Sequence, residues 1–99
     1  MKTFKSQKEL FMHVWNSRTH VSELTGKPLL PKSNFQHHWQ FLHILAKGTY
    51  PAYKFREENI MLALPDEHER QEQFPKFIER RDELRREYYK EIYNKTFEE

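Results

Sequence analysis

Three side chains with the capacity for acid–base and metal chemistry follow one another through the middle of the chain. They are His43, Asn59 and His68, separated by 16 and 9 residues. An imidazole that is neutral near pH 7 can accept a proton from water, and imidazole nitrogens are common metal ligands. His43 ends an apolar segment and His68 follows a proline and an acidic pair. These residue types and positions indicate a hydrolytic or metal-binding site.

The elements that must position these residues are predicted from hydrophobic spacing. Residues 39–45 are expected to form a mostly buried strand, and the segment 47–51, which contains Gly and Pro, ends it. The apolar run 60–64 is a second short strand. Pro65 then opens a helix that carries His68. The predicted order is therefore strand, loop, strand, helix.

A further helix is predicted on each side of this unit. Ser6 and Glu9 fit a capping box, and the apolar spacing that follows predicts a helix over about 7–17. Pro75 opens a last helix over about 75–94. The apolar stripe of that helix predicts core packing and consists of Phe77, Leu84, Tyr88 and Ile92, with the stem of Arg81.

Length and composition set limits on the class of protein. The 99 residues predict one α+β domain, 1–99, and the absence of cysteine excludes disulfides and thiolate zinc sites. A net charge of +2 does not by itself indicate nucleic-acid binding, but no acidic residue lies between Phe35 and Tyr53. No segment has the apolar length of a membrane span, and residues 1–6 precede no apolar signal region. The expected location is the cytoplasm of a bacterium or of an infected host.

Three segments of the chain together resemble the motif of a known family. They are His43-Ile44-Leu45-Ala46-Lys47-Gly48-Thr49-Tyr50-Pro51, Glu58-Asn59-Ile60 and Asp66-Glu67-His68. Together they resemble the HNH motif of the ββα-metal endonucleases, in particular small phage and bacterial members, over about residues 21–72. The resemblance implies a metal-dependent endonuclease that hydrolyses DNA phosphodiesters. In that interpretation His43 is the general base and His68 holds the metal. Asn59 is the second residue of the catalytic site, where it either ligates the metal or braces the loop.

The chain departs from the family at the metal site. In most HNH nucleases an Asp or His that binds the metal precedes the general base, whereas Leu42 stands here. Glu72, four residues after His68, is expected on the same helical face and is the predicted third ligand. Further candidates for this role are His38, Asp66 and Glu67. The expected ion is Mg²⁺, Mn²⁺ or Ni²⁺, with zinc as an alternative at the catalytic site.

A second departure concerns the zinc knuckle, which in many HNH proteins consists of two Cys-x-x-Cys pairs that bracket the motif. The matching positions here are Ser22, Thr25, Leu64 and Glu67, so no structural zinc is expected. The two segments are instead predicted to join by apolar packing, with Leu24 and Leu29 against Met61 and Leu64.

Three cations lie on the connection that faces the minor groove in this family. Lys47, Lys54 and Arg56 are expected to contact DNA phosphates, while specificity would come from a protein partner or a homodimer. An alternative, favoured by Leu42, is a catalytically inactive HNH-like module that engages DNA or a host factor. A third interpretation, a helical interaction protein, rests on the long C-terminal helix and leaves the His43–His68 arrangement unexplained.

Overall fold

The computed structural model describes residues 4–97, with side chains as far as Tyr93. Its elements in chain order are α1 (Gln7–Ser17), β1 (Phe41–His43), β2 (Ile60–Leu62), α2 (Pro65–Glu69) and α3 (Pro75–Phe97). Single 3₁₀ turns occupy 37–40, 51–53, 57–59 and 71–73. The fold is α+β, and the predicted order of strand, strand and helix between two flanking helices is confirmed.

A two-stranded antiparallel hairpin forms the centre of the domain. Its register pairs Phe41 with Leu62, Leu42 with Met61, and His43 with Ile60. Successive side chains of a strand point to opposite faces, so the hairpin contributes to two separate apolar clusters. One contains Leu42, Ile44, Met61, Phe77 and Leu84 and lies against α3. The other contains Leu10, Val14, Trp15, Phe41, Ile60 and Leu62 and lies against α1.

Both strands are shorter than the apolar runs that predicted them. Trp39 and Gln40 belong to a 3₁₀ turn, and the Trp39 side chain is 46% exposed. The buried Gln40 amide accepts from Leu30 N–H at 2.6 Å and donates to the Leu30 carbonyl at 3.1 Å. These two bonds hold the preceding loop against the 3₁₀ turn. Residues 39 and 40 therefore belong to that turn, and the strand begins only at Phe41.

The helix boundaries follow their caps. Ser6 accepts from Glu9 N–H at 3.2 Å, as predicted, and α1 spans the predicted residues. Helix α2 ends at Glu69, earlier than the sequence indicated. The stripe on α3 is confirmed as core packing at its first positions, where Phe77 and Leu84 are buried, but Ile92 is 43% exposed. Within residues 4–97, no helix has the length and apolarity needed to cross a bilayer.

Candidate functional site

His43 lies at the end of β1, on the side of the hairpin that faces α1. Its ring is 6.0 Å from that of Phe11, and its Nε2–H donates to the Lys54 carbonyl at 3.2 Å. Because a carbonyl can only accept, the neutral ring has its lone pair on Nδ1. Burial lowers the pKa of His43 below 6.5, the Lys54 carbonyl opposes this, and the charges of Lys47 and His68 add to the lowering. The imidazole is therefore neutral near pH 7 and able to accept a proton.

His68 lies in the short helix α2, and a hydrogen bond to the 3₁₀ turn that precedes β1 holds its ring. Its Nδ1–H donates to the Trp39 carbonyl at 3.0 Å, which leaves the lone pair on Nε2. His68 is near enough for its charge to depress the pKa of His43. The two histidines, 25 positions apart in the chain, are therefore within electrostatic range of each other.

Asn59 is fully buried and joins the two ends of the loop between the strands. Its Oδ1 accepts from Leu45 N–H at 2.7 Å, and its Nδ2 donates to the Leu45 carbonyl at 3.1 Å. The Asn59 carbonyl also accepts from Ile44 N–H at 2.8 Å. Of the two roles left open by the sequence, bracing the loop is the one that this geometry performs. Both amide atoms are engaged, so the proposed metal-ligand and catalytic roles of Asn59 have no support here.

The remaining donors fit a metal ion only in part. Leu42 points into the α3 cluster, opposite to His43, because neighbouring strand residues alternate in direction. The prediction that Glu72 shares a helical face with His68 is wrong, because α2 ends at Glu69. Glu72 lines the same open depression as His68, but its carboxylate pairs with Arg81 at 3.3 Å. Within residues 4–97, no three His, Cys, Asp or Glu side chains form a cluster able to hold a metal.

The three predicted DNA-contacting cations differ in their surroundings. Lys47 is exposed, with its Nζ 3.3 Å from Gln7 Oε1, and its charge reaches His43. Lys54 lies 5.0 Å above the ring of Phe55. Arg56 is instead stacked 4.3 Å above Tyr53 and pairs with Glu91 at 3.1 Å. The charge of Lys47 thus acts on His43, whereas Arg56 links the loop to α3.

The four positions that match a zinc knuckle form a hydrogen-bonded cluster, which we call the Glu67 cluster. The buried carboxylate of Glu67 accepts from Ser22 Oγ at 2.5 Å, from Thr25 Oγ1 at 2.6 Å and from Leu64 N–H at 3.0 Å. Burial acts to raise the pKa of Glu67, but these three bonds outweigh it and the pKa is lowered. The two segments are therefore joined by hydrogen bonds that the prediction of apolar packing did not include.

Only one half of that predicted apolar junction is present. Leu24 and Met61 belong to the same cluster, but Leu29 packs on the α1 side of the hairpin. The turn that presents Ser22 and Thr25 closes at Gly26, whose φ of 79° suits glycine.

Two residues that shape the site were not found from the sequence. Trp39 positions His68 through its backbone carbonyl, a group that carries no residue-specific signal. Phe11 stacks on Phe41 with ring centroids 4.3 Å apart and flanks His43. The helical spacing placed Phe11 on the apolar face of α1, but it could not indicate which strand residue that face meets.

Comparison with protein-family models, with curated proteins and with solved structures finds no match for this chain. The chemistry of the site is therefore inferred from the positions of His43 and His68 and from the motif in which they stand.

Proposed function

We propose that the protein is a metal-dependent endonuclease of the HNH type, acting on DNA phosphodiesters. The observations that support this most are the positions of two imidazoles, His43 and His68, and the backbone hydrogen bonds that hold them. His43 is neutral, half-buried and held through Nε2, whereas His68 is held through Nδ1 with Nε2 available. DNA in the cytoplasm of a bacterium or of an infected host is the proposed substrate.

In this proposal His43 acts as the general base. A water molecule beside Nδ1 gives up its proton as its oxygen attacks phosphorus, and the bond to the leaving sugar oxygen breaks. The Lys54 carbonyl accepts a hydrogen bond from Nε2–H and stabilises the imidazolium that forms. Lys47, whose charge already acts on His43, would offset the negative charge of the incoming phosphate.

His68 is the residue proposed to hold the divalent ion, through Nε2. When bound, such an ion neutralises charge on the phosphate and on the leaving oxygen. With one protein nitrogen as donor, the remaining positions would be filled by water and phosphate oxygens. We therefore propose weak metal binding that depends on the presence of DNA.

A second candidate function is an HNH-like module that binds DNA or a host protein without cleaving it. One observation favours it, namely the complete burial of Leu42 at the position where the family has a metal ligand. The hairpin, the Asn59 brace and the surface beside Lys47 would serve such a module equally well.

Nicking of supercoiled plasmid distinguishes the two. The parent protein with Mg²⁺ or Mn²⁺ is expected to produce open-circular DNA, and His43→Ala should lower the rate by about 10²–10⁴-fold. His20→Gln is the matched control, because His20 stacks on Trp15 at 3.6 Å and takes no part in the proposed site. Binding of the plasmid without nicking in Mg²⁺, Mn²⁺ or Ni²⁺ would favour the module.

A further inference from the structure

A groove with an aromatic floor runs between α1 and the 3₁₀ turn before β1. Its floor is formed by Phe11, Trp15 and Phe41, with Met12 at one side. It encloses about 540 Å³ and is open to solvent along its length. Phe41 and Trp15 are buried parts of the α1 cluster, whereas Met12 is 50% exposed. The apolar surface that the groove presents to solvent is therefore mainly that of Phe11 and Met12, above the buried Trp15 and Phe41.

The rim of this groove carries positive charge. Its polar lining consists of Gln7, Lys8, Lys32, His37 and His38, and no described carboxylate lines it. Lys8 and Lys32 are charged at neutral pH, and the two histidines can add charge beside an anion. An apolar floor between cationic edges is complementary to a ligand that combines planar apolar groups with negative charge.

The groove opens beside the candidate site. Phe11 stacks on Phe41 at 4.3 Å and lies 6.0 Å from the ring of His43. Gln7, at the rim, accepts a hydrogen bond from Lys47 at 3.3 Å. A chain lying in the groove would therefore pass close to Lys47 and His43.

Two exposed aromatic side chains lie next to the groove, beyond its rim residue His38. One of them, Trp39, lines a neighbouring depression together with Asp66 and Glu69. His38, on the rim, meets Trp39 edge-on at 5.3 Å, and Trp39 meets Phe35 edge-on at 6.2 Å. Trp39 is 46% exposed and Phe35 is 77% exposed. The Trp39 carbonyl also holds His68. Phe11 therefore lies near His43, and the backbone of Trp39 contacts His68.

We propose that this groove, with Trp39 and Phe35, binds the unpaired nucleotides of a single-stranded nucleic acid. Bases pack on the aromatic floor and on the Trp39–Phe35 pair, and Lys8 and Lys32 contact the flanking phosphates. The placement of the cleaved phosphate at His43 rests on the proposed function, whereas the binding itself does not. The substrate class is then DNA with a single-stranded segment, such as a flap, a gap or a displaced strand.

An acidic peptide is the other ligand with this chemistry. The observations favour a nucleic acid because the exposed aromatics form a row on an open surface, whereas peptide anchors occupy closed pockets. Proximity to a candidate phosphodiester site points the same way.

The test uses the full chain carrying His43→Ala, in EDTA, and the fluorescence anisotropy of a labelled 15-nucleotide oligodeoxythymidylate. Trp39→Ala and Phe35→Ala should each weaken binding on the order of ten-fold, from the usual cost of a lost base–aromatic stack. Tyr89→Ala is the matched control, because Tyr89 is 60% exposed on α3, away from the groove. Lys8→Ala and Lys32→Ala should each reduce the salt slope by about 0.7, and Lys76→Ala should not.

Three results would overturn the proposal. They are equal loss in the Trp39 and Tyr89 variants, binding of a duplex of the same length as tight as that of the single strand, and binding of a poly-glutamate peptide in place of the oligonucleotide. The results distinguish failure of the groove proposal from failure of the proposed nuclease function. Nicking by the parent without groove-dependent binding refutes the groove alone, and groove-dependent binding without nicking refutes the nuclease alone.

Discussion

The carboxylate of Glu67 lies 2.6 Å from the hydroxyl of Thr25, across 42 residues of sequence. The Glu67 cluster joins residues 22–25 to the start of α2. Because its acceptor is a buried carboxylate with three donors, the junction depends on the charge of Glu67.

Replacing Glu67 tests this junction. Glu67→Gln should lower the free energy of unfolding by about 2 kcal/mol, the usual value of charge-assisted hydrogen bonds, as measured by urea denaturation. Glu69→Gln on the same helix is exposed and should change it by less than about 0.5 kcal/mol. Equal effects of the two variants would contradict the role of the cluster.

The same residue predicts an acid dependence of stability. The folded pKa of Glu67 lies below its ordinary value of 4.5, so the unfolded chain binds the proton more readily. Its contribution is complete above pH 4.5 and is lost as the pH falls through the lower, folded pKa. Glu67→Gln should flatten this acid limb of the stability curve, and an unchanged limb would assign the acid sensitivity to another group.

Removal of metal should leave the protein folded. The segments that a zinc knuckle would tie are joined by Glu67, and an ion at His68 would stabilise the fold only by mass action, by about 1–3 kcal/mol near saturation. EDTA should therefore abolish any nicking but leave the far-UV circular dichroism spectrum unchanged at room temperature. Unfolding by EDTA would reveal a structural metal built from other histidines.

A substitution at Asn59 distinguishes a role in bracing the loop from a role as a metal ligand. Asn59→Asp keeps an acceptor for Leu45 N–H but cannot donate to the Leu45 carbonyl, and it places a charge in a fully buried site. We expect a loss of about 3 kcal/mol in unfolding free energy, with no gain in metal affinity by calorimetry. A stable Asn59→Asp protein that binds metal more tightly would restore Asn59 as a ligand.

The order of elements was predictable because each carries a local signal. The cap at Ser6 and the proline at Pro75 mark helix starts, and two short apolar runs mark the strands. The Glu67 cluster was not predictable, because Ser22 and Glu67 meet only through the tertiary fold. Helical periodicity predicted that Glu72 lies beside His68, but α2 ends at Glu69, three residues before Glu72. The partnership of Arg56 with Glu91 likewise depends on where α3 passes the loop.

The role of His43 predicts a specific pH dependence of nicking. The neutral form of His43 is the base, and its pKa is below 6.5 because of burial and the nearby charges of Lys47 and His68. The nicking rate under subsaturating DNA should thus be flat near pH 7 and should fall as pH drops through a value below 6.5. A nicking rate that already falls as the pH drops from above 7 would assign the role of general base to a different group.

The most direct test of the account is chemical rescue of the His43→Ala variant by added imidazole. If His43 Nδ1 takes the proton from water, free imidazole should restore part of the nicking rate to this variant, in proportion to its neutral form. The same addition should not restore nicking to His68→Ala, because the loss there concerns the ion. Nicking by His43→Ala at the parental rate without imidazole would contradict the central claim that His43 is the general base.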